Sequence, residues 1–257
     1  RGGDPGATAF ACRRGARGAM IAAGVQQLEP RVADGLQALA PILVQTAPQQ
    51  AQDRRRQIVR QPIPCGLGLE HVGEGVARRL ALEQAREQGK IRHYGASLDF
   101  AAEAEQCLAN TKSEVFEILF NVFHQDIRHS FASIREQGVG TIAKVPLDSG
   151  WLTGRFDASS RFEGIRARWS EEEISQRADL VSRIQWLVAD GSELAHKAIA
   201  YLLSYDEVSC VIPGIRTLDQ LASNLAAAEI RVSPDDRKRL AEFWNEVTDG
   251  GSKFLPW

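Results

Sequence analysis

The sequence predicts an α/β chain built as a (β/α)8 barrel, incomplete or irregular in its amino-terminal third. Three observations lead there. Strand and helix patterns alternate from Arg79 onward, and strands separated by helices of about a dozen residues need crossovers, which make parallel sheet. A doubly wound sheet usually carries a glycine fingerprint in its first strand–turn–helix, and no GxGxxG occurs anywhere. The distinctive polar residues follow the strand ends, where a barrel places its chemistry.

Taken in order, ARRLALEQAREQGK (77–90) has apolar residues at helical spacing and stops at Gly89, a residue suited to the left-handed helix end. It runs into IRHYGAS (91–97), a short strand. FAAEAEQCLAN (100–110) reads as a helix, VFEILFN (115–121) as a buried strand, IRHSFASIREQG (127–138) as a helix closed by Gly138, and VGTIAKVPL (139–147) as a strand. Ser170 opens SEEEISQRADLVSRIQWLVAD, with Glu173 at capping-box spacing and an acidic first turn that suits the helix dipole. ELAHKAIAYLLSY (193–205) is a further helix, VSCVIP (208–213) a strand and LDQLASNLAAAE (218–229) a helix. Ser233-Pro234-Asp235-Asp236 supplies a cap, a proline at the first helical position and two acids ahead of RKRLAEFWNEV. Four strands make half a barrel. Their partners must come from residues 1–78 or be missing.

The chain has 257 residues, 44% of them hydrophobic, enough to bury a core as one or two domains. A formal charge of −2 argues against a nucleic-acid or anionic-membrane surface and leaves a small ligand open. Cysteines at 12, 65, 107 and 210 form no CxxC pair and no metal-ligand spacing, so they read as buried free thiols in a reducing compartment. No run approaches the 18 or so apolar residues of a membrane span. A soluble, cytoplasmic protein without a metal is expected.

Residues 1–89 differ in composition from the rest. They contain no Lys, Tyr or Trp, and only Phe10 of the chain's aromatic residues. Stretches such as RRGARGA (13–19) and APQQAQDRRRQ (47–57) hold neither helical nor strand periodicity. Two readings of residues 1–78 stay open: an out-of-frame or fragmentary segment, and a low-complexity, partly disordered arm.

VIPGIRTLDQLASNLAA (211–227) raises the functional question. A buried strand ends at Pro213, Gly214 lets the backbone turn, Arg216 leaves one cation, and Thr217 with Gln220 caps a helix whose positive end can hold an anion. An ordinary strand–helix turn with a solvated arginine is the alternative. Read with IRHYGASLD, FNVFHQ and IAKVPLDSGWLTGRF, the stretch resembles the second half of the aldo-keto reductases, whose motifs run GKIRxxGVSN, QxxYN, AxxPLxxGxLTGK and IPGxRxxxQxxxN. Four ordered motifs cover about residues 79–257.

The resemblance implies a (β/α)8 barrel that binds NADPH across its carboxyl face and reduces a small-molecule aldehyde or ketone. It places Ser97 on the nicotinamide carboxamide, with Leu98 where the family has asparagine and Asp99 just beyond. Glu117 stands for the family's glutamine and can accept from the amide but not donate. Lys144 stands where many members have a stacking tyrosine. Leu147, Ser149 and Gly150 match the pyrophosphate loop, with LTGR (152–155) as its clasp. Gly214, Arg216, Thr217 and Gln220 match the 2′-phosphate and ribose end, and Asn224 the adenine, with Ser223 in place of an acid. The family's catalytic tyrosine, lysine, aspartate and histidine have no counterpart: no Tyr or Lys precedes Lys90. His71 lacks a preceding apolar strand, and Tyr94 reads as a packing residue. FLPW (254–257) and Trp151 are expected as aromatic surface near the substrate opening. Two other readings stay open, a non-catalytic NADPH-binding or interaction module and an inactive gene product.

Overall fold

A computed structural model describes residues 7–13, 19–24, 72–253 and 255. Most of the segment 1–78 therefore lies outside the described residues, as do His71 and, in FLPW, Phe254, Pro256 and Trp257.

In chain order the elements are β1 (Ala7–Arg13), β2 (Ala19–Gly24), α1 (Val72–Glu87), β3 (Gly95–Leu98), α2 (Ala101–Asn110), β4 (Val115–Leu119), α3 (Phe131–Glu136) and β5 (Gly140–Lys144). There follow α4 (Glu171–Arg183), α5 (Leu194–Leu203), β6 (Cys210–Val211), β7 (Gly214–Ile215), α6 (Leu218–Ala226) and α7 (Pro234–Thr248). Strands β3, β4, β5 and β6 pair in that order, all in parallel, with helices in the crossovers. This is half of the expected barrel. Beyond β6 the sheet continues through β1, which runs antiparallel to β6, β7 and β2. A (β/α)8 barrel closes through parallel neighbours, so the antiparallel β1 leaves the barrel incomplete.

The helix starts follow from capping. Ser170 Oγ accepts from Glu173 N at 3.2 Å while the Glu173 carboxylate accepts from Ser170 N at 2.7 Å, the reciprocal box read from the sequence. Ser233 Oγ accepts from Asp236 N at 3.0 Å behind Pro234. The start of α2 is held by two acids: Glu103 accepts from Asp99 N and Phe100 N, and Asp126 from Ala101 N at 2.7 Å. Gly89 and Gly138 end their helices at φ of +67° and +68°.

Boundaries moved where propensity met packing. The 91–97 strand begins only at Gly95; Tyr94 is buried, and its hydroxyl donates to Glu83 at 3.0 Å, so it does pack. The 127–138 helix opens as a 3-10 turn, Asp126–Ser130. The helix expected from Ser170 ends at Arg183 and resumes as a short 3-10 turn, Gln185–Val188.

The four parallel strands have two unlike faces. Leu98, Ile118, Ala143 and Val211, paired in register, are each 1% exposed or less and lie in the main core with Ala104, Phe131, Ile134 and Tyr201. One residue back on the other face, Ser97, Glu117 and Ile142 are half-buried. A closed barrel would bury both faces. Gly95 is fixed by pairing: a Cβ there would lie 1.6 Å from the Val115 carbonyl oxygen. No helix among the described residues is long and apolar enough to cross a membrane.

Candidate functional site

Because β3 to β6 run in parallel, their carboxyl ends share one rim, and three groups of side chains sit there. The first is a contact between strand ends. Lys144 Nζ donates to Ser97 Oγ at 2.9 Å and lies 2.8 Å from Asp99 Oδ1. The Lys144 side chain is only 17% exposed, so its charge needs the nearby carboxylate. A hydroxyl that accepts from an ammonium keeps its own proton to donate, so Ser97 faces outward as a donor. Glu117 lies beside Ser97 in register, half-buried, with no hydrogen bond or ion pair to a described residue. Lys144 therefore takes the role of an ion-paired anchor. The pairing with Asp99 was missed in the sequence, although a cation at a strand end and an acid two residues past Ser97 were both visible.

The second group is the turn after β5. Gly150 N and Leu152 N donate back to Leu147 O at 2.8 and 3.2 Å, and Thr153 Oγ1 donates to Gly150 O at 2.6 Å. Asn121, fully buried at the end of β4, donates from Nδ2 to Val145 O at 2.9 Å. Asp148 is also buried, against Arg177 of α4 and within 3.4 Å of His124 Nε2. Sequence reading singled out neither Asn121 nor the Asp148–Arg177 pair. Contrary to the expectation from the sequence, Trp151 is fully buried against Phe156, Phe162 and Trp169, so it forms no aromatic surface. Leu255 of FLPW is buried as well.

The third group is the start of α6. Thr217 Oγ1 accepts from Gln220 N at 3.2 Å, and Gln220 Oε1 accepts from Arg216 N at 2.7 Å, so the expected cap is formed. Arg216 is exposed, and its guanidinium makes no hydrogen bond or ion pair with a described residue. Gly214 departs from expectation: the chain does not turn there but pairs with Thr8 of β1, and a Cβ would meet nothing within 4 Å. Asn224, 6% exposed, holds an Nδ2 without a hydrogen-bond partner among the described residues. Ser223 Oγ lies 2.8 Å from His196 Nε2.

Ser97 and Lys144 are thus brought into contact, and Leu147, Ser149 and Gly150 follow directly from that strand. Helix α5 packs against both the 148–153 turn and α6. Among the described residues no hydrogen bond joins the three groups. Among the described residues neither Tyr94 nor Tyr201 is tuned as an acid for carbonyl reduction. Burial, and then the hydrogen bond to Glu83, raise the Tyr94 hydroxyl above its ordinary 10.0, and burial raises Tyr201; a proton donor at neutral pH needs the opposite shift. No cluster of three or more metal-ligating side chains occurs among the described residues.

Residues 76–245 match the family described as the aldo/keto reductase family. The chain is 24% identical over 186 residues to the aldo-keto reductase yakc [NADP(+)] of Schizosaccharomyces pombe, covering 68% of this chain and 55% of that protein. It is 27% identical over 212 residues to the L-glyceraldehyde 3-phosphate reductase of Escherichia coli, covering 72% and 60%. The chain thus spans a little over half the length of these two relatives. In structure it is similar to the aldo-keto reductase AKR11C1 from Bacillus halodurans in its holo form, at a TM-score of 0.55 and 20% identity over 69% of this chain and 58% of that one. The glycerol dehydrogenase AKR11B4 from Gluconobacter oxydans follows at 0.53 and 16%, over 64% and 52%. At such identities the likeness concerns the fold.

Proposed function

The chain belongs to the aldo/keto reductase family, and on that premise we propose that it binds NADPH along the carboxyl rim and serves an oxidoreductase that reduces an aldehyde or ketone. Bound there, the cofactor would supply the hydride. Ser97 would donate to the carboxamide oxygen while Glu117 accepts from the amide nitrogen. Lys144, anchored by Asp99, would keep Ser97 in that donor role. The 147–150 turn would receive the pyrophosphate. Arg216 would meet the 2′-phosphate, which favours NADPH over NADH.

The observation that best supports this is Asn224 Nδ2. A buried amide donor without an acceptor is unfavourable by about 1–3 kcal/mol, and an adenine nitrogen would satisfy it. Titration of tryptophan fluorescence with NADPH and NADH tests the reading: saturable NADPH binding is expected, and Arg216→Gln should weaken NADPH far more than NADH. Equal loss for both removes the 2′-phosphate assignment, and absence of binding removes the whole.

A second reading has its own support. Tyr94 is tied to Glu83, and Tyr201 and Tyr205 are tied to each other and, through Tyr201, to Gln125, which leaves no tyrosine acid among the described residues and favours a non-catalytic cofactor-binding module. NADPH oxidation with a generic aldehyde separates the two. The cysteine spacing, without a CxxC pair, suits a reducing compartment, and we propose a cytoplasmic location on that ground.

A further inference from the structure

The turn after β5 has an unusual backbone. Val145, Asp148 and Ser149 have φ of 52°, 46° and 55°, in the left-handed region that side chains with a Cβ disfavour and a β-branched residue enters only under constraint. The constraint lies beneath the turn. Asp148 is fully buried, and its partner Arg177, on α4, is 2% exposed. The guanidinium of Arg177 stacks over Trp169 at 5.2 Å, and Trp169 packs edge-on against Phe162 and close to Trp151. A buried ion pair is a poor means of stabilising a fold, since apolar residues of similar volume often serve as well or better.

Here the polar groups are not even fully satisfied. Of the nine buried polar atoms without a hydrogen-bond partner among the described residues, six belong to this cluster, on His124, Asp148, Trp151, Trp169 and Arg177, and of these only His124 Nε2 and Asp148 Oδ1 face each other, at 3.4 Å. Stability alone would not select such an arrangement. What Arg177 does secure is the position of Asp148, between Leu147 and Ser149.

We propose that Arg177 is a positioning residue for the ligand loop: through Asp148 it holds residues 148–150, all at positive φ, in that shape before any ligand arrives. This rests on the NADPH reading above, in which that turn receives the pyrophosphate. The loop is then preorganised instead of being ordered by the cofactor, and its competent fraction sets the observed affinity.

The test uses the full chain and two readouts. Arg177→Lys keeps the charge but loses the planar fork. Hydrogen exchange of the unliganded protein should show protection lost at residues 148–154 while α5 stays protected. NADPH affinity should fall about tenfold, as for a competent fraction reduced to roughly a tenth. Adding Val145→Gly to Arg177→Lys relieves one strained residue, since glycine adopts positive φ freely, and should restore several-fold of that loss. Unchanged loop protection, loss spread equally over α5, or weaker binding in the double variant would each overturn the proposal. If Arg177→Lys does not fold, Asp148→Asn is measured in the same way, with the same outcomes. If the unmodified chain binds no NADPH, the cofactor reading fails, and the exchange data still decide the role of Arg177.

Discussion

Asn121 offers the sharpest test of how the rim is held. Replacement by alanine removes three hydrogen bonds: from Nδ2 to Val145 O at 2.9 Å, and to Oδ1 from Phe123 N at 2.8 Å and His124 N at 3.0 Å. The three losses are unequal. His124 N keeps a second acceptor, Asn121 O at 3.2 Å, and the backbone survives substitution. Val145 O likewise keeps a donor, Asp148 N at 3.0 Å, so Phe123 N alone is left unmet. For that one unmet buried group the loss is about 1–3 kcal/mol, a sizeable part of the roughly 5–15 kcal/mol typical of a domain. Asn121→Asp separates the two contributions. Its carboxylate still accepts from Phe123 N but faces the Val145 carbonyl, and burial beside an acceptor raises the carboxyl pKa in the folded protein above the ordinary value of about 3.9. Below that ordinary value both states are protonated, the acid donates as the amide did, and the variant is close to the parent. The deficit develops as pH rises through the folded pKa. Urea denaturation of both variants at pH 4.5 and 8 measures this, provided the m-value is unchanged. A loss below about 1 kcal/mol for Asn121→Ala, or no pH dependence for Asn121→Asp, would refute the reasoning.

Two further outcomes follow from other residues. Asn224→Leu should leave the unliganded protein as stable or more stable, by thermal melting, because it removes an unmet donor, while NADPH affinity falls; a drop in both would show that the amide serves the fold. Asp190 is held well below its ordinary carboxyl pKa, first by its hydrogen bond to Lys197 and then by Ser192. Its contribution is therefore present above the unfolded value of 3.8 and lost as pH falls through the folded one. Melting curves of Asp190→Asn should differ slightly from the parent at pH 7 and converge in acid, and a constant offset would contradict the pairing.

Most of the described region was legible because its signals are local. Ser170 with Glu173, Thr217 with Gln220 and Ser233 with Pro234 announce helix starts within four residues, and each cap is present. The parallel strands followed from alternation, and half a barrel from their number. What escaped the sequence is non-local. The Lys144–Asp99 contact joins residues 45 apart and is decided by register, and Asp148–Arg177 joins a turn to a helix through a packed aromatic group. Trp151 misled because an aromatic residue in a glycine-rich turn carries no sign of which way it faces, and the answer came from Phe156, Phe162 and Trp169. Gly214 misled because glycine suggests a bend, whereas β1 supplied a pairing partner no local pattern could reveal.

The close approach at Gly95 bears on how such a chain can drift. With only 1.6 Å between a would-be Cβ and the Val115 oxygen, even alanine is shut out there for as long as β3 lies beside β4, whether or not anything binds. Ser97, two positions on, would answer to the ligand in the proposed reading. In a randomised library, selection for folding alone should return glycine at 95 and many residues at 97, and a lineage that had lost its cofactor would show the same scar.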